Sequence, residues 1–159
     1  MKDQFDKIHE LLTEKHYDQV LNLVLNSTTN KIESPYCEDL NHAWYLMGNI
    51  FTDKEDYESA ISAFKKSLAD WPEDDQAMSA LANCYMEIGK PIQAQKQLEH
   101  AIKIKPKDEY FYNLGNALFD QCEYGKAIEL YKKIGRDDGE LYELGHKNIA
   151  HAKRKMKKR

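Results

Sequence analysis

Apolar and small residues recur along this chain at a spacing of 34 and then 33. Trp44, Met47, Gly48, Phe51, Ala60, Phe64 and Pro72 are answered by Met78, Leu81, Ala82, Tyr85, Ala94, Leu98 and Pro106, then by Phe111, Leu114, Gly115, Leu118, Ala127 and Tyr131. Inside each unit the apolar positions fall three and four apart in two runs, which is the spacing of one face of an α-helix. Each unit therefore reads as a pair of short amphipathic helices. A pair of that size cannot bury its own apolar face and must stack on a neighbour.

The rest of the chain is read against that unit. Residues 1–27 carry a worn version: Phe5, Ile8, Leu11 and Leu12 share one face of a first helix, Val20, Leu21, Val24 and Ser27 one face of a second, and Tyr17 stands at the turn. Residues 28–34 form a polar connection. Ser34-Pro35 reads as a helix start, because the Ser side chain can accept from an early amide and Pro at the first helical position loses no hydrogen bond. That helix is expected to run to about Thr52. A second follows from about Tyr57 to Asp70, and Trp71-Pro72-Glu73-Asp74 breaks the run. In residues 75–107 Gly89 closes one helix and Pro91 opens the next. Residues 108–137 lack a closing Pro and end in Gly135-Arg136-Asp137-Asp138-Gly139, so their second helix should be short. From Glu140, Leu141, Leu144, Ala152 and Met156 make a narrow apolar stripe on a polar helix that would cover the last flank, with Lys153 to Arg159 fraying.

A large residue, then Met47-Gly48, Leu81-Ala82 or Leu114-Gly115, then a second large residue on the first helix, followed by Ala, a large residue and a closing Pro on or after the second, resembles the tetratricopeptide repeat. The resemblance implies an all-α fold, an α-solenoid of stacked antiparallel helix pairs winding as a right-handed superhelix, with a C-terminal capping helix. It divides a single domain into a degenerate repeat with its connection (1–34), repeats at 41–74, 75–107 and 108–137, and a capping helix with a basic tail (138–159). Helices approach closely only where side chains are small. Gly48, Ala82 and Gly115 on first helices and Ala60, Ala94 and Ala127 on second ones are therefore expected at the crossings, with Trp44, Phe51, Phe64, Tyr85 and Tyr131 filling the space between pairs.

In this family the first helices of successive repeats line a concave groove through fixed places of the unit. Carried onto this sequence, the fifth place holds Tyr45, Ser79 and Tyr112, the ninth Asn49, Asn83 and Asn116, the twelfth Thr52, Met86 and Phe119, and the thirteenth Asp53, Glu87 and Asp120. An amide offers a donor and an acceptor together, as an extended peptide backbone requires. Tyrosines add flat apolar area with a polar tip. The acids favour a neutral or basic segment. A subgroup of the family grips a C-terminal carboxylate with groove cations; the matching places here hold Tyr45, Asn49, Ser79, Ala80, Glu109 and Asn113, which argues against such a clamp.

Composition narrows the function classes. Charged residues make up 31% and hydrophobic ones 42% of 159 residues, and no run approaches the roughly 20 apolar residues that cross a bilayer. Met1 to Glu10 is charged where a secretory signal would be apolar, so a cytoplasmic location is expected. Cys37, Cys84 and Cys122 are far apart and odd in number, and the six histidines show no metal spacing. Gly125-Lys126 fails as a phosphate loop because position 120 is Asp120. No catalytic site, cofactor or metal is expected. The leading expectation is a protein–protein interaction module of adaptor or chaperone-like type. The last 14 residues hold seven cations and no acid, so the net −4 splits into +7 for the tail and −11 for residues 1–145. The tail leaves open an acidic partner or nucleic acid, although no aromatic residue interleaves the cations, and the worn end repeats leave open a self-assembling scaffold or homodimer.

Overall fold

The computed structural model describes residues 5–157. Several of its helices begin where short acidic side chains accept from freed backbone amides. Asp39 accepts from the His42 amide and opens α3 (Leu40–Asp53), Asp56 accepts from Ser59 and opens α4 (Tyr57–Asp70), and Asp74 accepts from Gln76 and Ala77 and opens α5 (Asp75–Glu87). Pro91 starts α6 (Pro91–Ile104). Before them lie α1 (Asp6–Thr13) and α2 (Tyr17–Val24); after them come α7 (Asp108–Asp120), α8 (Tyr124–Tyr131) and α9 (Gly139–Lys157).

Four corners join α1 to α2, α3 to α4, α5 to α6 and α7 to α8, and all are built alike. Lys15, Glu55, Gly89 and Cys122 take left-handed conformations with φ of 58°, 59°, 69° and 63°. The next amide, that of His16, Asp56, Lys90 or Glu123, reaches back to the carbonyl of Leu11, Phe51, Tyr85 or Leu118 at 2.8 or 2.9 Å. This closes the last turn of the first helix and aims the chain into the second. The worn N-terminal stretch is thus a helical hairpin of the same design as the others. Glycine, the residue suited to that backbone, occupies one of the four places.

The chain packs as two compact units that divide between Pro72 and Glu73. In the first, Ile8, Val20 and Val24 of the N-terminal hairpin are buried with Trp44, Met47 and Ile50 of α3. In the second, α5 packs on α6, α6 on α7, α7 on α8, and α9 against α8 and α7. The hairpins α3–α4, α5–α6 and α7–α8 each close over a small residue. A Cβ at Gly48 would lie 2.4 Å from the Phe64 ring, and one at Gly115 would lie 2.4 Å from the Tyr131 ring. The same two places in α5 and α6 hold Ala82 and Leu98, both fully buried, so a larger first-helix residue is matched by a smaller second-helix one. Ala60, Ala94 and Ala127 are also fully buried.

Three local expectations are corrected. Ser34-Pro35 does not start a helix: Tyr36–Glu38 make one 3-10 turn, and Asp39, with φ −132°, caps α3 at Leu40. Ser27 is not on a helix, and residues 28–34 are not a plain connection. Leu25–Asn26 (β1) pairs antiparallel with Lys31–Ile32 (β2), and the Asn26 side chain accepts from the Thr28 and Thr29 amides at 3.0 and 2.8 Å. The Asn26 carboxamide offers the backbone a local partner that ends helical bonding there. Lastly, Lys153–Lys157 continue α9 instead of fraying, while Lys158 and Arg159 lie outside the described residues. Met156 is 50% exposed and leaves the apolar stripe; Gly145 and Ala152 are the buried residues of α9.

One polar cluster ties α7 to α5. The Lys107 ammonium lies 2.6 Å from the Asp75 carboxylate and 2.7 Å from the Tyr110 hydroxyl, which itself donates to Asp75 at 2.6 Å. Burial raises the Asp75 carboxyl, but the bonds from Lys107 and Tyr110 outweigh it and leave it below its ordinary value. The bond to Asp75 holds Lys107 above its own. Burial, then the bond to Asp75, pushes the Tyr110 phenol up to about 12. All three therefore stay in their paired protonation states from mildly acidic to mildly alkaline pH.

Three outcomes follow for stability, each readable by urea unfolding. Cys122→Gly or Glu55→Gly should stabilise by about 0.5–1 kcal/mol and Gly89→Ala should destabilise by about 1 kcal/mol, since only glycine adopts the corner backbone freely. Gly48→Ala should cost about 1–3 kcal/mol by overpacking, as should Ala60→Leu or Ala94→Leu, and adding Phe64→Leu to Gly48→Ala should recover part of the loss by recreating the Ala82 and Leu98 pairing. Asp75→Asn should cost about 1–2 kcal/mol at neutral pH. Because the folded Asp75 value is depressed, its contribution is present above the unfolded value near ~4 and disappears as pH falls through the folded one. The variant's stability should accordingly vary less than the wild type's below about pH 4.

Candidate functional site

The groove places fall into the two units separately. On α3, Tyr45, Asn49, Thr52 and Asp53 share one face by their spacing. Tyr45 is half-buried, its ring 5.8 Å from that of Phe64. The Thr52 hydroxyl donates to the Gly48 carbonyl at 2.9 Å. Asp53 accepts from the Tyr17 hydroxyl at 2.7 Å, tying α2 to α3, and that bond holds the Tyr17 phenol above its ordinary value.

In the second unit, Asn83, Met86, Glu87, Asn116, Phe119 and Asp120 line a single recess of about 530 Å³. Asn113 of α7, Tyr131 of α8, and Asn148 and His151 of α9 complete its wall. Spacing places Asn83 and Met86–Glu87 one turn apart on α5, and Asn113, Asn116 and Asp120 likewise on α7. Ser79 and Tyr112 are not among the lining residues. Ser79 is 4% exposed, its hydroxyl without a partner among the described residues, and the Tyr112 ring packs 6.0 Å from that of Tyr131.

The amides of the recess pair with one another in a definite sense. Asn113 donates its Nδ2 to Asn83 Oδ1 at 3.1 Å, joining α7 to α5. Asn116 Oδ1 accepts twice, from the Tyr131 hydroxyl at 2.8 Å and from Asn148 Nδ2 at 3.1 Å, joining α7 to α8 and α9. Burial pushes the Tyr131 phenol well above its ordinary value, which keeps it protonated as a donor. These bonds use the oxygens of Asn83 and Asn116 and a nitrogen donor of Asn113 and Asn148. Each of the first two keeps amide N–H groups, and each of the second two keeps a carbonyl oxygen. The recess is thus lined by amides that keep both donors and acceptors, on side chains held by their neighbours.

Apolar area flanks this array. The Phe119 ring lies 4.9 Å from His151 and 5.1 Å from Tyr124, leaving Phe119 half-buried, with Met86 half-buried on the facing helix. Glu87 and Asp120 are exposed on the same wall. Repeat spacing did not point to Asn148 or His151, because α9 begins after Gly135–Gly139, where the repeat loses its count. Their signal lay in the i, i+3 spacing of two polar side chains on a helix already read as covering the final flank.

Other chemistry has less to stand on. Cys84 is buried and Cys37 and Cys122 are exposed, all three free thiols. Among the described residues no group of three or more His, Cys, Asp or Glu could hold a metal ion, and no helix is long and apolar enough to cross a membrane.

A family model described as tetratricopeptide repeat matches residues 51–118. The small glutamine-rich tetratricopeptide repeat-containing protein 2 of Mycosarcoma maydis is 35% identical over 102 residues, covering 62% of this chain and 29% of that protein. The chain spans less than a third of the length of the sequence relatives it matches. Among solved structures, the Sgt2 tetratricopeptide domain of Aspergillus fumigatus superposes with a TM-score of 0.66 at 25% identity, over 74% of this chain and 79% of that one. The TPR2B domain of yeast Sti1, solved as a complex with an Hsp70 peptide, gives 0.68 at 19% identity over 73% and 98%.

Proposed function

The chain belongs to the tetratricopeptide repeat family, and from that premise we propose that it is a protein-binding module of adaptor or chaperone-like type, without a catalytic role, that holds an extended segment of a partner in the recess of its second unit. The observation that carries this reading is the amide array: two donors from Asn83 and Asn116 and two acceptors from Asn113 and Asn148, fixed before a ligand arrives. An extended backbone offers alternating N–H and C=O groups, and side chains already held in place lose little freedom on binding it. Met86 and Phe119 supply apolar area for its side chains, and Glu87 and Asp120 favour a neutral or basic stretch beside them.

The relatives support the general role. One is named Hsp70-Hsp90 organizing protein 3, and several similar domains were solved with Hsp70 or Hsp90 peptides. The cations that would grip a terminal carboxylate are missing from the matching places of this sequence, so an internal segment suits the recess better than a chain end. On α3, Tyr45 and Asn49 are proposed as further contacts belonging to the first unit.

The test spares the groups that hold the fold. Asn116→Ala would strip the Tyr131 hydroxyl of its acceptor, and Tyr112→Ala would uncover the Tyr131 ring. Asn83→Ala with Asn113→Ala removes half of the array and touches neither. Affinity capture with wild type beside this double variant, read by mass spectrometry, should show partners of the wild type depleted by about tenfold or more, with the helical circular dichroism unchanged. An identical set captured at equal abundance by both would overturn the assignment.

A further inference from the structure

The recess continues past Asn148 and His151. Those two residues also line a second concavity along α9, together with Lys147, Arg154 and Lys155. Residues 147, 148, 151, 154 and 155 recur at helical spacing, so one side of α9 carries them all. No acid follows Glu143 in the chain. Among the described residues Lys147, Arg154 and Lys155 have no carboxylate within 4.0 Å, and Glu87 and Asp120 have no cation, whereas Lys107 and Lys132 are paired at 2.6 and 2.7 Å. Cations near the C-terminal end of a helix suit its dipole, but the effect falls off within the last turn. It does not reach Lys147, almost three turns before Lys157, and it says nothing of the two acids across the recess.

Resting on the recess as a peptide site, we infer that the bound segment carries a basic block followed or preceded by an acidic block. The basic block lies against Glu87 and Asp120, and the acidic block lies along α9 against Lys147, Arg154 and Lys155. Unpaired charges of opposite sign kept apart along one continuous surface are complementary to a ligand with the same separation. From Lys147 to Lys155 the helix rises about 12 Å, the reach of about four extended residues, which sets the length of the acidic block. A polyanion such as RNA could meet the cations, but Glu87 and Asp120 would repel it from the recess.

Fluorescein-labelled peptides of about a dozen residues, read by anisotropy at low ionic strength, test this. One carries four lysines, a Ser/Gln spacer and four glutamates; two keep one block and neutralise the other; both chain directions are made. The two-block peptide in its better direction should bind about tenfold more tightly than either single-block peptide, with the advantage shrinking at high salt. Arg154→Glu with Lys155→Glu should weaken the two-block peptide by about tenfold or more and change the lysine-only peptide by less than about twofold; Glu87→Lys with Asp120→Lys should do the reverse. Should a reversal disturb the helical circular dichroism, replacing Lys147, Arg154 and Lys155 with glutamine must give the same selective loss. Wild-type affinity for the two-block peptide in these variants overturns the inference, as does an oligouridylate that displaces the peptide at lower concentration than the unlabelled peptide does. If binding survives the charge variants but is lost in Asn83→Ala/Asn113→Ala, the recess stands and the two-block ligand falls. If it survives in both, the recess falls as well.

Discussion

An aromatic ring lying where a methyl group would otherwise sit is the contact on which the helix pairs are built. At Gly48 and Gly115 the rings of Phe64 and Tyr131 occupy the space that a Cβ would need. Helices of 8 to 14 residues such as these are marginal alone, so their stability comes from packing on one another. That packing requires the axes to come close while large side chains are still buried. A glycine facing a ring and an alanine facing a leucine are two solutions to the same volume constraint, and this chain uses both. The shared left-handed corner makes the solutions repeatable, because it returns the second helix to the same place over the first.

Tyr131 shows how that constraint reaches the recess. Its ring closes over Gly115 of α7, while its backbone oxygen and Cβ lie 3.6 and 3.7 Å from where a Cβ of Gly145 in α9 would stand. One residue therefore packs against glycines of two helices, with Ile134 nearer still to the Gly145 position at 3.0 Å. Its hydroxyl emerges into the recess and donates to Asn116, which in turn accepts from Asn148. The residue that packs on α7 and α9 also holds an amide that lines the recess. On the proposed reading packing and recognition share an atom set, so substitutions at Asn116 are expected to report on both and those at Asn83 mainly on recognition.

How much of this was legible in the sequence depended on whether the repeat was still counting. From α4 to α8 the spacing located the helices, the crossings and the short α8, since each position was answered 33 or 34 residues away. Where nothing answered, local chemistry decided. Ser34-Pro35 read as a helix start, but the structure makes a 3-10 turn at Tyr36–Glu38 and Asp39 caps the helix. The hairpin of β1 and β2 has two residues in each strand, too few for an alternation to show. Six of the twelve groove places read from the spacing line the recess, all on α5 and α7, and Ser79 failed to join them because it points into buried surroundings. Asn148 and His151 were hidden because α9 follows a junction that breaks the period.

That break gives α9 a freedom the repeats lack. Among the described residues α9 packs on α8 and α7, and Gly145 and Ala152 are its buried residues. Small residues at the contact draw the helix close to α8 and leave the rest of its circumference to other uses. Asn148 and His151 turn one strip toward the recess, and Lys147, Arg154 and Lys155 extend that strip with charge. A helix that only shielded an apolar flank would have no need to place an amide within 3.1 Å of Asn116 or to gather unpaired cations on the adjoining face. On the proposed reading, α9 reads a ligand outside the repeat's own places, because Asn148 and His151 are not set by the 33- or 34-residue period.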